Sequence, residues 1–321
     1  MSNKLFFLKI HIMKKDMLKK KLRKTVGIVG LGLLGSSLGL ALKKSDYRRA
    51  GWSRRPESRK DALHNKVVDE VFDRPEDLLA VADITVVCLP IPEIVSFCLK
   101  HTGDWRRKAI VTDVGSVKGL IVKKLVQALD QHGVQFVGSH PMAGSEKSGA
   151  AEARGSLYQG ATVFITPEEG NTEEALRAVR RMWEKTGAKT VSVDPRQHDQ
   201  IVAFTSHLSH VVSSALTSTV LDTDKCFRRL REHGCAGGFR DTTRTASSNP
   251  QMWKEIIEGN RVAVITALKC FSDKIGEISS ILQSGDFERL EKCLATSRDL
   301  RDEWLEKCKK ENRQPVQNEK L

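Results

Sequence analysis

Thr25-Val-Gly-Ile-Val-Gly-Leu-Gly-Leu-Leu-Gly-Ser-Ser-Leu-Gly39 decides the fold of this 321-residue chain. Thr25 to Val29 is a short apolar run with β-branched residues. Gly30-x-Gly32-x-x-Gly35 follows at once, and then a helix-compatible alternation. Strand, glycine turn and helix in this order make a dinucleotide-binding unit. Gly30 allows the turn, Gly32 lets the backbone approach a pyrophosphate, and Gly35 lets the helix pack on the strand. Free N–H groups at the helix start then meet the phosphate charge. The bland alternative is a glycine-rich turn in some other α/β protein. A second strand soon afterwards favours the dinucleotide site.

That second strand, Arg49-Ala50-Gly51-Trp52, follows a helix predicted over 34–44 and ends at Ser53-Arg54-Arg55. An NAD site usually carries an acid here for the ribose hydroxyls, and that acid repels a 2′-phosphate. A hydroxyl and two guanidinium groups suit the phosphate instead. NADP is therefore expected over NAD. The alternative is that Arg54 and Arg55 are rim residues and NAD is tolerated.

Further along, the pattern predicts a helix over 56–65, an edge element at 67–69, and buried strands at 84–89 and 109–113. The first of these strands is closed by Pro90 and Pro92. Val114-Gly-Ser116-Val-Lys118 then sets a hydroxyl and a lysine beside Asp113 at the carboxyl end of a parallel sheet, where ligands of such sheets bind. A helix over 119–131 and a strand over 135–138 lead to Ser139-His140-Pro141-Met142-Ala143-Gly144-Ser145-Glu146. Strands at 161–165 and 189–193 flank a helix at 172–186, and the alternation predicts a parallel α/β sheet.

After Asp194-Pro195 the period changes. Ile201, Phe204, Leu208, Val211 and Ala215 fall at helical spacings, with His207 and His210 on one face. Val262, Ile265, Leu268, Phe271, Ile275 and Ile278 mark a second long helix, and 286–310 a charged third. Arg228 to Gly238 reads as less regular, and Asp241 and Arg244 fall on one helical turn. Such stripes serve either a core or a dimer seam. The expected organisation is a basic, disordered extension over 1–24, a Rossmann-type domain over 25–194 and a helical substrate and dimerisation domain over 195–321.

The net charge of +13 first suggests nucleic acid. Residues 1–24, however, hold nine Lys or Arg against one Asp, so the remainder carries only about five positive charges. The extension reads as solvated chain, with Met13 and Met17 as further possible starts; its apolar part is too short for a targeting signal. No stretch reaches membrane-spanning length. Seven cysteines without a CxxC pair support neither a disulfide framework nor a cysteine zinc site, which suits a reducing cytoplasm. No metal is expected, because His198, His207 and His210 form no ligand motif.

A bound nicotinamide implies hydride transfer, so the site needs a group that takes a proton from an alcohol. His140, beside a strand end, is the first candidate, and its alternative is a histidine that only caps the strand. Arg244 and Arg240 are candidates for a substrate carboxylate, bidentate if buried.

Taken together these motifs resemble the prephenate/arogenate dehydrogenases of tyrosine biosynthesis. The resemblance is carried by Gly30-Leu-Gly-Leu-Leu-Gly-Ser36, Thr112-Asp-Val-Gly-Ser-Val-Lys118, His140-Pro-Met-Ala-Gly-Ser-Glu146, His198-Asp-Gln200, Ser206-His-Leu-Ser-His210, Gly238-Phe-Arg-Asp-Thr-Thr-Arg244 and Met252-Trp253. It implies a Rossmann domain followed by a helical dimerisation domain, a homodimer, and oxidative decarboxylation of a cyclohexadienol acid without a metal. Carried onto this chain, His140 and Ser116 become the catalytic pair. Arg244, His210, Asp241, Glu146, His207, Ser145 and Trp253 become the substrate set, with His198 beside them and Trp253 approaching from a partner. Gly30, Gly32, Leu33, Leu34, Gly35, Ser53, Arg54, Arg55, Leu89, Pro90, Asp113 and Ser116 become the cofactor set.

Two features depart from the common pattern. Ser209 stands where many members have proline, and Ser53-Arg54-Arg55 resembles the NADP-using arogenate enzymes. His210 resembles the prephenate-using members, and a histidine donor suits a keto acid better than an amino acid. Prephenate is therefore the expected substrate, with an NADP-dependent arogenate dehydrogenase as the alternative and a non-catalytic NADP-binding regulator as a remoter one. The chain looks to have no room for a typical regulatory domain after its helices.

Overall fold

The computed structural model describes residues 23–144 and 149–313, and the chain divides at Pro195 and Arg196 into two compact units. In the first, β1 (Thr25–Val29), β2 (Arg48–Trp52), β3 (Glu70–Val71), β4 (Ile84–Val87), β5 (Ile110–Asp113) and β6 (Gln135–Phe136) form one parallel sheet in the order 3-2-1-4-5-6. Its switch point lies between β1 and β4, where open α/β sheets hold their ligands. Helices α1 (Leu33–Ala41), α2 (Pro56–His64), α3 (Pro75–Leu79), α4 (Ile91–Lys100) and α5 (Gly119–Asp130) make the crossovers. Strand interiors such as Val26, Ile28, Ile84 and Val86 are buried, as continuous apolar strands of a covered parallel sheet should be.

Three expectations need correction here. Pro90 and Pro92 do not merely close β4: Pro90 is the N-cap of α4, because proline costs nothing where a helix has no use for an N–H. The edge strand is Glu70–Val71, a step later than expected. The run from Gln135 does not continue as one strand in one sheet. Val137 N bonds Val111 O, and the chain then leaves β5 to form β7 (Gly138–Pro141) in a second sheet with β8 (Thr162–Thr166) and β9 (Lys189–Ser192). There β7 and β8 are antiparallel and β8 and β9 parallel, so the unit is not parallel throughout.

Helix α6 (Glu173–Glu184), capped by Thr172, brings Trp183 into a core shared by both sheets, with Ile28, Val86, Val163 and Ile165. Burial of its apolar face is what holds a helix of this length.

The second unit is helical: α7 (Pro195–Val202), a π-helical turn (Ala203–His207), α8 (Leu208–Leu221), α9 (Lys225–Gly234), α10 (Gly237–Thr243), a 3-10 turn (Arg244–Ser247), α11 (Pro250–Gly259), α12 (Arg261–Ser284) and α13 (Phe287–Arg313). Arg228 to Gly234 is helical, not irregular, with Asp224 capping the amides of Cys226 and Phe227. The apolar stripes, read as either a core or a dimer seam, are only partly buried. Ile201, Phe204, Val262, Ile265 and Ile275 are exposed, whereas Val202, Ala203, His207, His210 and Ser213 are buried. No helix among the described residues is long and apolar enough to cross a membrane.

Candidate active site

The glycine turn has the shape that a pyrophosphate needs. Gly30 sits at φ +94°, and a Cβ there would lie 2.3 Å from Cys88 O. A Cβ on Gly35 would lie 1.9 Å from Gly30 O, so the first turn of α1 rests against the strand backbone. Gly32 has no atom within 4 Å of a Cβ position. That open space sits at the N-cap of α1, which has no side-chain cap and no acid in its first turn. Backbone N–H groups beside an uncapped space fit a diphosphate. Leu33 and Leu34 open α1, and Leu89 and Pro90 follow β4 at the switch point. Ser53 is half-buried at the end of β2, with Arg54 and Arg55 exposed.

At the end of β5, Asp113 and Lys118 form an ion pair with both side chains fully enclosed. One carboxylate oxygen also accepts from Gly115 N at 2.8 Å, and the other from Ser139 N at 3.1 Å. Lys118 Nζ donates to Ser139 O at 2.9 Å. The Ser139 hydroxyl donates to Asp113 O at 2.6 Å and accepts from Trp183 Nε1 at 3.0 Å, with Thr112 Oγ1 at 2.8 Å. A buried charge is tolerable only when paired and hydrogen-bonded, and this one is. The carboxylate of Asp113 therefore faces protein groups, and its work is to hold Ser139, the residue before His140.

His140 lies within β7, opposite Phe164, with 8% of its surface exposed. It is a strand residue rather than one just past a strand end, so its backbone is held by the ladder. Ser116 is half-buried in the turn after β5. Ser145 and Glu146 lie outside the described residues.

In the helical unit, His207 and His210 flank the indole of Trp253 in the same chain, so that ring packs within one chain instead of reaching these histidines from a partner as expected. The His210 ring stacks on Trp253 at 3.7 Å between centroids and 3° between planes, and His207 meets the same ring edge-on at 6.0 Å. Asn260 Nδ2 donates to Asp199 O at 2.7 Å and lies 3.2 Å from His207 Nδ1. Nδ1 is thus the acceptor, and the neutral ring carries its proton on Nε2. Burial pulls the His207 pKa down to about 4, against the opposing pull of the Asp199 carboxylate. Burial also lowers that of His210, whose ring donates to the Thr245 carbonyl. His207 Nε2, His210 Nδ1 and Trp253 Nε1 are all buried without a hydrogen-bond partner. Buried polar atoms are nearly always paired, so three orphans around one indole point to a ligand.

His198 is enclosed, with Nδ1 2.8 Å from Asp199 Oδ1. Asp241 lies in α10, and Arg244 opens the 3-10 turn that follows; both are exposed, so Arg244 is not the buried bidentate group envisaged. Arg240 is likewise exposed. Nothing in the sequence singles out Thr245 or Trp183, and only the break between α11 and α12 marks Asn260. Elsewhere Glu76, His101 and Asp104 bring three possible ligand atoms within 4.8 Å, with His101 Nδ1 2.7 Å from Asp104 Oδ2.

Comparison with known proteins bears on the family and the fold. Residues 38–192 match the family model for the prephenate dehydrogenase nucleotide-binding domain, and 194–296 that for the prephenate dehydrogenase dimerization domain. Prephenate dehydrogenase of Bacillus subtilis (strain 168) is 31% identical over 286 residues, 88% of this chain and 76% of that protein. The crystal structure of Synechocystis arogenate dehydrogenase aligns with a TM-score of 0.77 at 31% identity, covering 87% of this chain and 99% of that one. That of prephenate dehydrogenase from A. aeolicus, in complex with hydroxyphenyl propionate and NAD+, aligns with a TM-score of 0.81 at 31% identity, covering 87% and 98%.

Proposed function

Because the chain belongs to the prephenate/arogenate dehydrogenase family of tyrosine biosynthesis, we propose that it converts prephenate to 4-hydroxyphenylpyruvate and CO2, with NADP+ as hydride acceptor. When bound, the nicotinamide cofactor takes up the hydride from the ring carbon that bears the hydroxyl.

The protein's part is proton handling and charge placement. His140 accepts the hydroxyl proton, and Ser116 hydrogen-bonds the same oxygen and aligns it. As the ring carboxylate leaves as CO2 the ring becomes aromatic, and His140 returns its proton to the phenolate. A general base of this kind contributes roughly 10²–10⁴-fold. The Asp113–Lys118–Ser139 network keeps His140 in register. Arg244 pairs with a substrate carboxylate, and Asp241 orients it.

The observation that carries this reading is the trio of buried orphan atoms at His207, His210 and Trp253. Two of them, His207 Nε2 and Trp253 Nε1, are N–H donors. Such a pair of donors suits the carboxylate and keto oxygens of prephenate. One observation favours arogenate: His210 spends its N–H on Thr245, so its neutral Nδ1 offers a lone pair. A donor to the keto group then requires the protonated ring, which the anionic substrate itself favours.

Ser53, Arg54 and Arg55 support NADP, and the exposed Val262, Ile265 and Ile275 of α12 support a homodimer through the helical unit. Steady-state kinetics with prephenate and L-arogenate under saturating NADP+ test the substrate. We expect a higher kcat/KM for prephenate; a higher value for L-arogenate overturns that choice and leaves the family standing.

A further inference from the structure

We propose that Arg59 is a positioning residue for cofactor choice, holding the Ser53–Arg55 turn in the form that receives a 2′-phosphate while keeping the Asp73 carboxylate turned away from it. This rests on the reading of that turn as the NADP site. Arg59 lies on α2, directly after the turn, and its side chain is only 12% exposed. Nη1 donates to Ser53 O at 2.7 Å and approaches Arg54 O at 3.4 Å, while Nη2 donates to Asp73 Oδ1 at 3.0 Å. Trp52 Nε1 ties the Asp73 carbonyl to the end of β2 at 3.2 Å, so Asp73 is held beside the turn.

Two consequences follow from electrostatics. The negative ends of the Ser53 and Arg54 carbonyls are occupied by Arg59, and the turn keeps one shape. Arg54 and Arg55, exposed and without a side-chain partner among the described residues, are then left for the phosphate. Asp73 is 92% exposed at the side chain, and without the guanidinium its full charge would act on a 2′-phosphate dianion. NAD lacks that phosphate and should be indifferent to both effects. The fork reaches the Ser53 carbonyl and the Asp73 carboxylate through two different nitrogens, a spread that the single nitrogen of a lysine does not offer.

The test is equilibrium binding of NADP+ and of NAD+ to the purified full-length protein, by titration calorimetry without substrate. We expect wild type to bind NADP+ the tighter. Arg59→Met should weaken NADP+ at least tenfold and NAD+ less than threefold, and Arg59→Lys should fall between. Adding Asp73→Asn to Arg59→Met should recover NADP+ binding at least threefold. Equal weakening of both cofactors, or no weakening, overturns the role of Arg59. Equal wild-type affinities overturn the NADP reading itself, a result visible before any substitution is made. Should Arg59→Met fail to fold, Arg59→Lys carries the same comparison, because it keeps the charge and loses the fork.

Discussion

Lys118→Met isolates the network behind the proposed base. Lys118 and Asp113 are both fully enclosed, and removing the ammonium leaves a carboxylate with only the Gly115 and Ser139 amides. Breaking a buried pair from one side costs about 3–5 kcal/mol. The Ser139 carbonyl loses its donor as well, so the upper half of that range is expected. Against a typical total of about 5–15 kcal/mol, this is a large share. Lys118→Met/Asp113→Asn removes the stranded charge, so the deficit should shrink in that double variant. Urea unfolding at pH 7, with turnover measured on the fraction still folded, checks both parts. Turnover should fall because the strand that carries His140 loses its anchor. A loss below 1 kcal/mol at pH 7, or a double variant no more stable than the single one, refutes the reasoning.

His140→Asn should leave NADP+ affinity within a fewfold of wild type and lower kcat roughly 10²–10⁴-fold; turnover within threefold of wild type contradicts the assignment. His207 is neutral in the fold, with a pKa of about 4 against 6.5 in the unfolded chain. Its contribution is present above pH 6.5 and lost as pH falls toward 4, by about 3 kcal/mol in all, so urea midpoints for His207→Gln should fall less across that window than those of wild type. Gly32→Ala should keep wild-type stability, because the added methyl meets no atom, yet lose cofactor affinity; Gly35→Ala, with a Cβ 1.9 Å from Gly30 O, should lose both. Calorimetry and thermal unfolding of the two variants separate these outcomes.

The glycine turn was legible because its chemistry is local: two spacings and a preceding strand imply the backbone shape found at Gly30, Gly32 and Gly35. The segment from Thr112 to Lys118 was legible as a polar strand end, but not as a closed network, since its partners Ser139 and Trp183 come from distant strands and helices. Nor could the run after Gln135 reveal its change of sheet, because two residues of β6 and four of β7 carry no register information.

In the helical unit, apolar spacing marked the faces that the protomer leaves open, while histidines and a serine face inward. The π-helical turn ending at His207 takes up an extra residue, and each residue rotates the pattern by about 100°, so a single 3.6-residue period cannot run through it. The proximity of His207 and His210 was readable from their spacing, but the indole between them was not. The orphan nitrogens depend on Asn260 and Thr245, which only the folded chain brings near.

In the proposed reaction, hydride loss and decarboxylation occur together on a cyclohexadienol acid. The direct measurement incubates the purified protein with prephenate and NADP+ and quantifies NADPH, CO2 and 4-hydroxyphenylpyruvate in the same reaction. Equal amounts of all three, with the yield collapsing in His140→Asn, are the predicted result; NADPH formed without matching CO2, or no NADPH from either prephenate or L-arogenate, contradicts it.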